Sequence, residues 1–196
     1  DRGLRVLFTG FAIPTPEEIE EKKAAEKDPA KRKELQKKPR RTEKVERVDP
    51  VASVHFGAES PNPAAMIPEE FQGRWFGSLL APETGVYEFV LKSENGVRLY
   101  LNTNKDPVID AWVSTGPEVR EERKSIFLLG GRSYRVLIEM LKYKDKSASL
   151  EFWWKRPHGV LEIVPQSSLM PQEVRPSVIV STAIPADDRS DGYERG

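Results

Sequence analysis

The chain has 196 residues, 38% of them hydrophobic, with 31 basic and 31 acidic side chains. That balance removes any global charge argument for nucleic-acid or membrane binding, and no apolar run reaches the roughly 18 residues needed to span a bilayer. Cysteine is absent, which excludes disulfides, thiolate metal sites and thiol nucleophiles.

The opening segment "GLRVLFTGF" predicts a strand, with Leu4, Val6 and Phe8 alternating against Arg5, Leu7 and Thr9. Its apolar run is too short for a signal peptide. Segment 16–50 is a charged insertion, helical or mobile: acids crowd its start and bases its end, which favours helix, while Pro29 and Pro39 interrupt it. Within it "KRKELQKKPRR" reads as a solvated face, because acids are interleaved and no aromatic offers a base a platform. No nucleic-acid partner is expected.

Val54 to Phe56 predicts a short strand before a proline-rich loop. "FQGRWFGSLLAPETGVYEFVLKSENGVRLYLN" then carries three strand-like runs separated by "APETG" and "SENG", the pattern of antiparallel strands joined by turns. In the middle run Tyr87, Phe89 and Leu91 form the expected core face, opposite Val86, Glu88, Val90 and Lys92. "KSIFLLGGRSYRVLIEMLKY" gives two more strands around a Gly130-Gly131 hairpin signal. "SASLEFWW" follows, with Ala148, Leu150, Phe152 and Trp154 alternating against Ser149, Glu151 and Trp153, and "HGVLEIVPQSSLM" supplies the last strand. At least six short strands without βαβ spacing predict an all-β sandwich or barrel.

In this order the motifs "GRWFGSLLAPETGVYEFVLKSENGVRLYLN", "PVIDAW", "IFLLGGRSYRVLIEM", "ASLEFWWKRP" and "EIVPQSSL" resemble the protective-antigen fourteen-kilodalton (PA-14) domain. The resemblance implies an antiparallel β-sandwich over 51–171 that also takes in a first strand within 1–15, with the charged, partly helical insertion near the N-terminus and a connector over 172–196. It implies a non-catalytic, extracytoplasmic module that binds a glycan or cell-surface polymer. A structural interaction module packing against neighbouring domains or subunits, with a haem-containing redox protein as one such setting, is the alternative. The tail "IPADDRSDGYERG" is similar to large secreted planctomycete-type multidomain proteins with cytochrome-c-like segments, which implies a fragment of a longer, haem-associated chain; Asp187 and Asp188 there read as connector.

In sugar-binding members two successive aspartates before a glycine hold calcium, which needs about six to eight oxygen ligands. The matching positions here are Glu94 and Asn95. One carboxylate has become an amide, so the resemblance leaves room for weak calcium binding at most and for no other cofactor within the segment. The bland reading makes Asn95 a turn residue, left-handed or capping backbone groups before Gly96. Asp145, in "KYKDKSAS", would join Glu94 if that loop closes over it. Asp110 and Trp112 match the family's acid and aromatic, with Trp112 expected in the core, while Trp153 is the exposed ring. The binding candidates are therefore Glu94, Asn95, Asp110, Asp145 and Trp153. His55 and His158 have no nucleophile or ligand at motif spacing.

Overall fold

The computed structural model describes residues 1–114 and 116–177. Its strands are β1 (Leu4–Ala12), β2 (Thr42–Asp49), β3 (Ser53–Gly57), β4 (Met66–Leu80), β5 (Gly85–Ser93), β6 (Gly96–Leu101), β7 (Ile109–Ala111), β8 (Arg120–Leu128), β9 (Ser133–Tyr143), β10 (Ala148–Lys155), β11 (Leu161–Ile163) and β12 (Leu169–Met170). Two helices, α1 (Pro16–Lys27) and α2 (Pro29–Lys37), separate β1 from β2.

Each helix begins where the sequence provides a cap. The Glu18 amide donates to Thr15 Oγ1 (3.2 Å) and the Ala30 amide to Asp28 Oδ1 (3.0 Å), each with proline in the first turn. Arg41 closes the base of the insertion, donating from Nε to Glu18 (2.7 Å) and from Nη2 to Ile13 O (3.1 Å). Strand begins at Thr42, inside the stretch assigned to the insertion, and β2 pairs antiparallel with β1 from Leu4↔Asp49 to Phe11↔Thr42. An edge strand packs on one face only, so Val45 and Asp49 turned inward suffice and the rest is mostly charged, with Val48 exposed.

Seven strands form one sheet, ordered β2-β1-β4-β9-β6-β7 with β12 also on β4, and five form the other, ordered β11-β10-β5-β8 with β3 also on β10. Strict alternation fills the space between them. Leu4, Val6, Phe8, Trp75, Tyr87, Phe89, Leu91, Phe152 and Trp154 are fully buried. Phe8 meets Trp75 edge-on at 5.4 Å, and the Trp75 indole donates to Asp49 Oδ2 (3.2 Å), which also accepts from Arg47. Val90, on the outward face of β5, is buried too, because Trp153 and Arg123 stand beside it in register.

The turns at "SENG" and Gly130-Gly131 are not hairpins. β5 and β8 belong to the five-stranded sheet and β6 and β9 to the other, so both turns carry the chain across the sandwich. A two-residue hairpin needs positive φ in its turn, and neither Glu94 nor Asn95 has it. Alternation reads the same for an arch as for a hairpin, since both strands still point one face at the core. The β4–β5 and β9–β10 connections cross in the same way.

Beyond β12, Arg135 donates to Val174 O (3.1 Å) and the Asn102 side chain exchanges two hydrogen bonds with the Ser177 backbone (2.7 and 2.8 Å). Residues 178–196, with Asp187, Asp188 and most of the expected connector, lie outside the described residues.

Gly96 stands where β6 leaves its crossover, and a Cβ there would lie 2.2 Å from the Trp112 carbonyl oxygen. Gly96→Ala is expected to cost about 1–3 kcal/mol through this overpacking, read as a lower urea midpoint. An unchanged midpoint would mean that the β6–β7 edge yields freely.

Candidate functional site

Three sheet-to-sheet connections converge at one end of the sandwich: Glu94-Asn95 between β5 and β6, residues 112–114 and 116–119 between β7 and β8, and 144–147 between β9 and β10. They are joined through side chains rather than through a ladder. Ser93 Oγ accepts from the Asn95 amide (2.9 Å) and donates to Ser149 O (2.6 Å), tying the end of β5 to β10.

Asn95 is the hub, with no exposed surface. The Ser149 backbone N–H, which can only donate, lies 2.9 Å from its Oδ1. That contact fixes the amide orientation, so Nδ2 must face the other way, and it donates to Asp145 Oδ2 (2.9 Å) and Ser147 O (3.0 Å). Asn95 therefore caps backbone groups in an ordinary backbone conformation and is not left-handed. Its own carbonyl accepts from Arg120 Nη2 (3.1 Å), which also reaches Ala111 O.

The two carboxylates are likewise engaged. Glu94, 8% exposed, accepts from Ser149 Oγ (2.7 Å). Ser114 Oγ lies 2.8 Å from Asp145 Oδ1 and 3.0 Å from Glu94 O, sharing one proton between them. Above this network opens a pocket of about 230 Å³, bounded by Glu94, Asp145, Ser147, Lys144, Lys146 and the Gly116-Pro117 stretch. Behind it Lys142 is 2% exposed, donating to Pro68 O (2.6 Å) beside the Phe71 ring. Burial pushes the Lys142 ammonium below the usual lysine range, against the attraction of Asp145, Glu69 and Glu94.

Glu94, Asn95 and Asp145 thus meet, and the loop carrying Asp145 does close over the Glu94 turn. Asp110 and Trp153 lie elsewhere. Asp110 is exposed on β7 and accepts from Arg98 Nε (2.9 Å), whose guanidinium covers the Trp112 ring at 4.4 Å. Trp112 is half-buried on the outer face of the seven-stranded sheet and is not a core residue: β7 ends before it, and a cation takes the ring face that the core would have covered. Trp153 lies on the outer face of the other sheet, its indole donating to Glu151 (3.1 Å) and its ring under Lys92 at 4.1 Å. His55 contacts Glu151 on that face (2.9 Å), and His158 is the left-handed residue of the β10–β11 turn. Among the described residues no three His, Cys, Asp or Glu side chains are grouped for a metal.

Ser114, Ser149, Arg120, Lys142, Lys144 and Lys146 were not anticipated. Only Lys142 left a trace in the sequence: it continues the period-two series Tyr134, Val136, Ile138, Met140 on the core face of β9.

A two-sheet antiparallel sandwich with a polar pocket built on its crossovers defines a β-sandwich module. The model of the PA14 domain family matches residues 25–168, and the chain belongs to that family. Among solved structures it is similar to an anti-sigma factor domain-containing protein from Clostridium clariflavum, at 22% identity and a TM-score of 0.64, with 93% of this chain and 50% of that one covered. It is also similar to the Epithelial Adhesin 6 A domain from Candida glabrata in complex with Galb1-3GlcNAc, at 12% identity and a TM-score of 0.59, over 92% and 93% of the two chains. A third likeness is to a PA14 sugar-binding domain from an RTX adhesin, at 13% identity and a TM-score of 0.55, over 87% and 98%. At these identities the likeness establishes the fold. The chain spans about half the length of the anti-sigma factor domain-containing proteins it matches. No curated protein sequence matches it.

Asn95→Asp removes two donors and sets a carboxylate against Asp145, and is expected to cost about 3 kcal/mol at pH 7. The introduced carboxyl has its folded pKa raised by its neighbour, so the folded state binds more protons and stability falls as pH rises through that window. Denaturant melts should show the deficit smallest below about pH 3.9 and complete at neutral pH.

Lys142→Met exchanges a desolvated charge for an apolar chain of similar volume but leaves the Pro68 carbonyl without its donor, so gain and loss oppose and stability at pH 7 is expected to change by no more than about 1 kcal/mol. Because the folded pKa of Lys142 is lowered, the unfolded chain binds the extra proton and wild-type stability rises with pH through the window below its unfolded value. Thermal melts should therefore show the difference between the two proteins moving in the wild type's favour as pH rises toward about 10.4.

Proposed function

We propose that this chain is a non-catalytic carbohydrate-binding module, taking a sugar of a glycan or cell-surface polymer at the pocket over Glu94 and Asp145. The observation that carries the reading is the convergence of three crossovers on a polar pocket, in a family whose structural neighbours include adhesin domains, one of them solved with a bound disaccharide and one titled as sugar-binding. At about 230 Å³ the pocket is smaller than the roughly 300–1,000 Å³ that encloses drug-sized ligands, which suits one sugar unit of a longer polymer.

The binding proposed does not depend on calcium. Asn95 Nδ2 is a donor aimed at Asp145 and Ser147 O, so the two oxygens that would face a cation already face an N–H. Glu94 and Asp145 instead offer acceptors to sugar hydroxyls. The wider setting we propose is an exported, multidomain parent, with the alternative that the module packs against neighbouring domains, including those of a haem-containing protein. The Asn102–Ser177 clamp favours that second reading to the extent that it fixes where the chain leaves the sandwich.

A glycan array probed with the whole chain, in calcium and in chelator, tests the proposal. Retention on a subset of glycans, equal within about twofold in both buffers, is expected. Loss in chelator would reinstate the ion, and an array blank in both buffers would leave the packing role.

A further inference from the structure

The charges around the pocket differ in whether they are already engaged. Both Asp145 oxygens and one Glu94 oxygen accept hydrogen bonds from the protein, and Glu94 is recessed. Deeper still, Lys142 is buried and drawn first to Asp145 and then to Glu69 and Glu94, and Arg120 lies 3.9 Å from Glu122 with its Nη2 donating to Asn95 O and Ala111 O, so neither cation is free to meet a ligand. Lys144 and Lys146 are different. Both are exposed on the crossover that forms the rim, and neither makes an ion pair among the described residues. Lys144 reaches only the face of the Tyr143 ring, at 5.1 Å, and takes a left-handed backbone (φ 60) between β9 and Asp145.

We infer that the sugar taken here is an anionic one, carrying a carboxylate or sulfate as a unit of an acidic polysaccharide. This rests on the carbohydrate reading above and adds the chemistry of the ligand. Lys144 and Lys146 are exposed where they line the pocket, so an approaching anion meets them before it meets the recessed Glu94. A sugar ring seated between them donates hydroxyl hydrogens to the free lone pairs of Glu94 and Asp145 while its acidic substituent lies against Lys144 and Lys146. A neutral sugar uses only the first half of that arrangement. Two solvent-exposed contacts of this kind supply on the order of tenfold in affinity, and salt weakens them.

The segment from Lys31 to Arg41 is also basic and would attract any polyanion without regard to shape, so the test must separate it from the pocket. Whole-chain protein is run by affinity electrophoresis through polygalacturonate, dextran sulfate and neutral galactan. The variants are Lys144→Asn with Lys146→Gln, asparagine being chosen because it tolerates the left-handed backbone, and Lys33→Gln with Lys37→Gln on α2. Expected is retardation by polygalacturonate or dextran sulfate that falls about tenfold in the pocket variant and with added salt but survives in the helix variant. The gel that retards says whether carboxylate or sulfate is taken. Retardation lost in the helix variant and kept in the pocket variant would overturn the inference. So would galactan binding of equal strength in wild type and pocket variant without polyanion binding, which leaves the carbohydrate reading standing. No retardation in any gel, with a blank glycan array, removes both.

Discussion

Every crossing between the sheets takes polar backbone through a gap that is otherwise apolar. An unpaired buried N–H or C=O costs as much as a lost hydrogen bond, so each crossing needs partners from outside the sheet ladders. At one end of the sandwich tyrosines provide them: the Tyr87 hydroxyl bonds to both the amide and the carbonyl of Glu83, and the Tyr134 hydroxyl accepts from the Leu129 amide. At the other end Asn95 does so, bonding to a backbone amide, a backbone carbonyl and a carboxylate from one side chain. Without that hub three connections would have no common anchor, and the pocket above them would have no floor.

The choice of an amide has a chemical consequence. Two acceptor oxygens, one charged and one neutral, point at a single position, and something electropositive must lie there. A divalent cation fills such a position by coordination, whereas Asn95 fills it with two N–H groups that are part of the fold and cannot dissociate. The carbohydrate reading proposed above rests on this arrangement, with the carboxylates serving as acceptors for ligand hydroxyls.

Much of the sandwich was legible because period-two alternation maps directly onto burial. Leu4, Val6 and Phe8 in β1, Tyr87, Phe89 and Leu91 in β5, and the even-numbered residues of β10 all face the core as their spacing indicates. Sheet membership was not legible, since alternation says which side of a strand is apolar and nothing about its hydrogen-bonded neighbour. β2 was hidden for a related reason: an edge strand that turns only Val45 and Asp49 inward has the composition of a charged linker. At the site the family motif pointed to Glu94, Asn95 and Asp145, but Ser114, Ser149 and Arg120 arrive from separations of twenty to fifty-five residues and carry no local pattern. Trp112 misled because a tryptophan can be half-covered by a cation as readily as by a core.

That last point bears on where recognition can occur. Sugar stacking needs a free aromatic face, yet the ring of Trp112 carries Arg98 and that of Trp153 carries Lys92. Each cation is held in turn, Arg98 by Asp110 and Lys92 by Glu121. A ligand that stacked on the face either cation covers would have to displace an ion-paired side chain first. The pocket over Asn95 demands no such exchange: its floor is held by hydrogen bonds within the protein, Glu94 and Asp145 line it, and its lysines are unpaired among the described residues. Binding there would order two lysine side chains and little else, which is the energetic ground for placing the proposed sugar site at the end of the sandwich rather than on its aromatic faces.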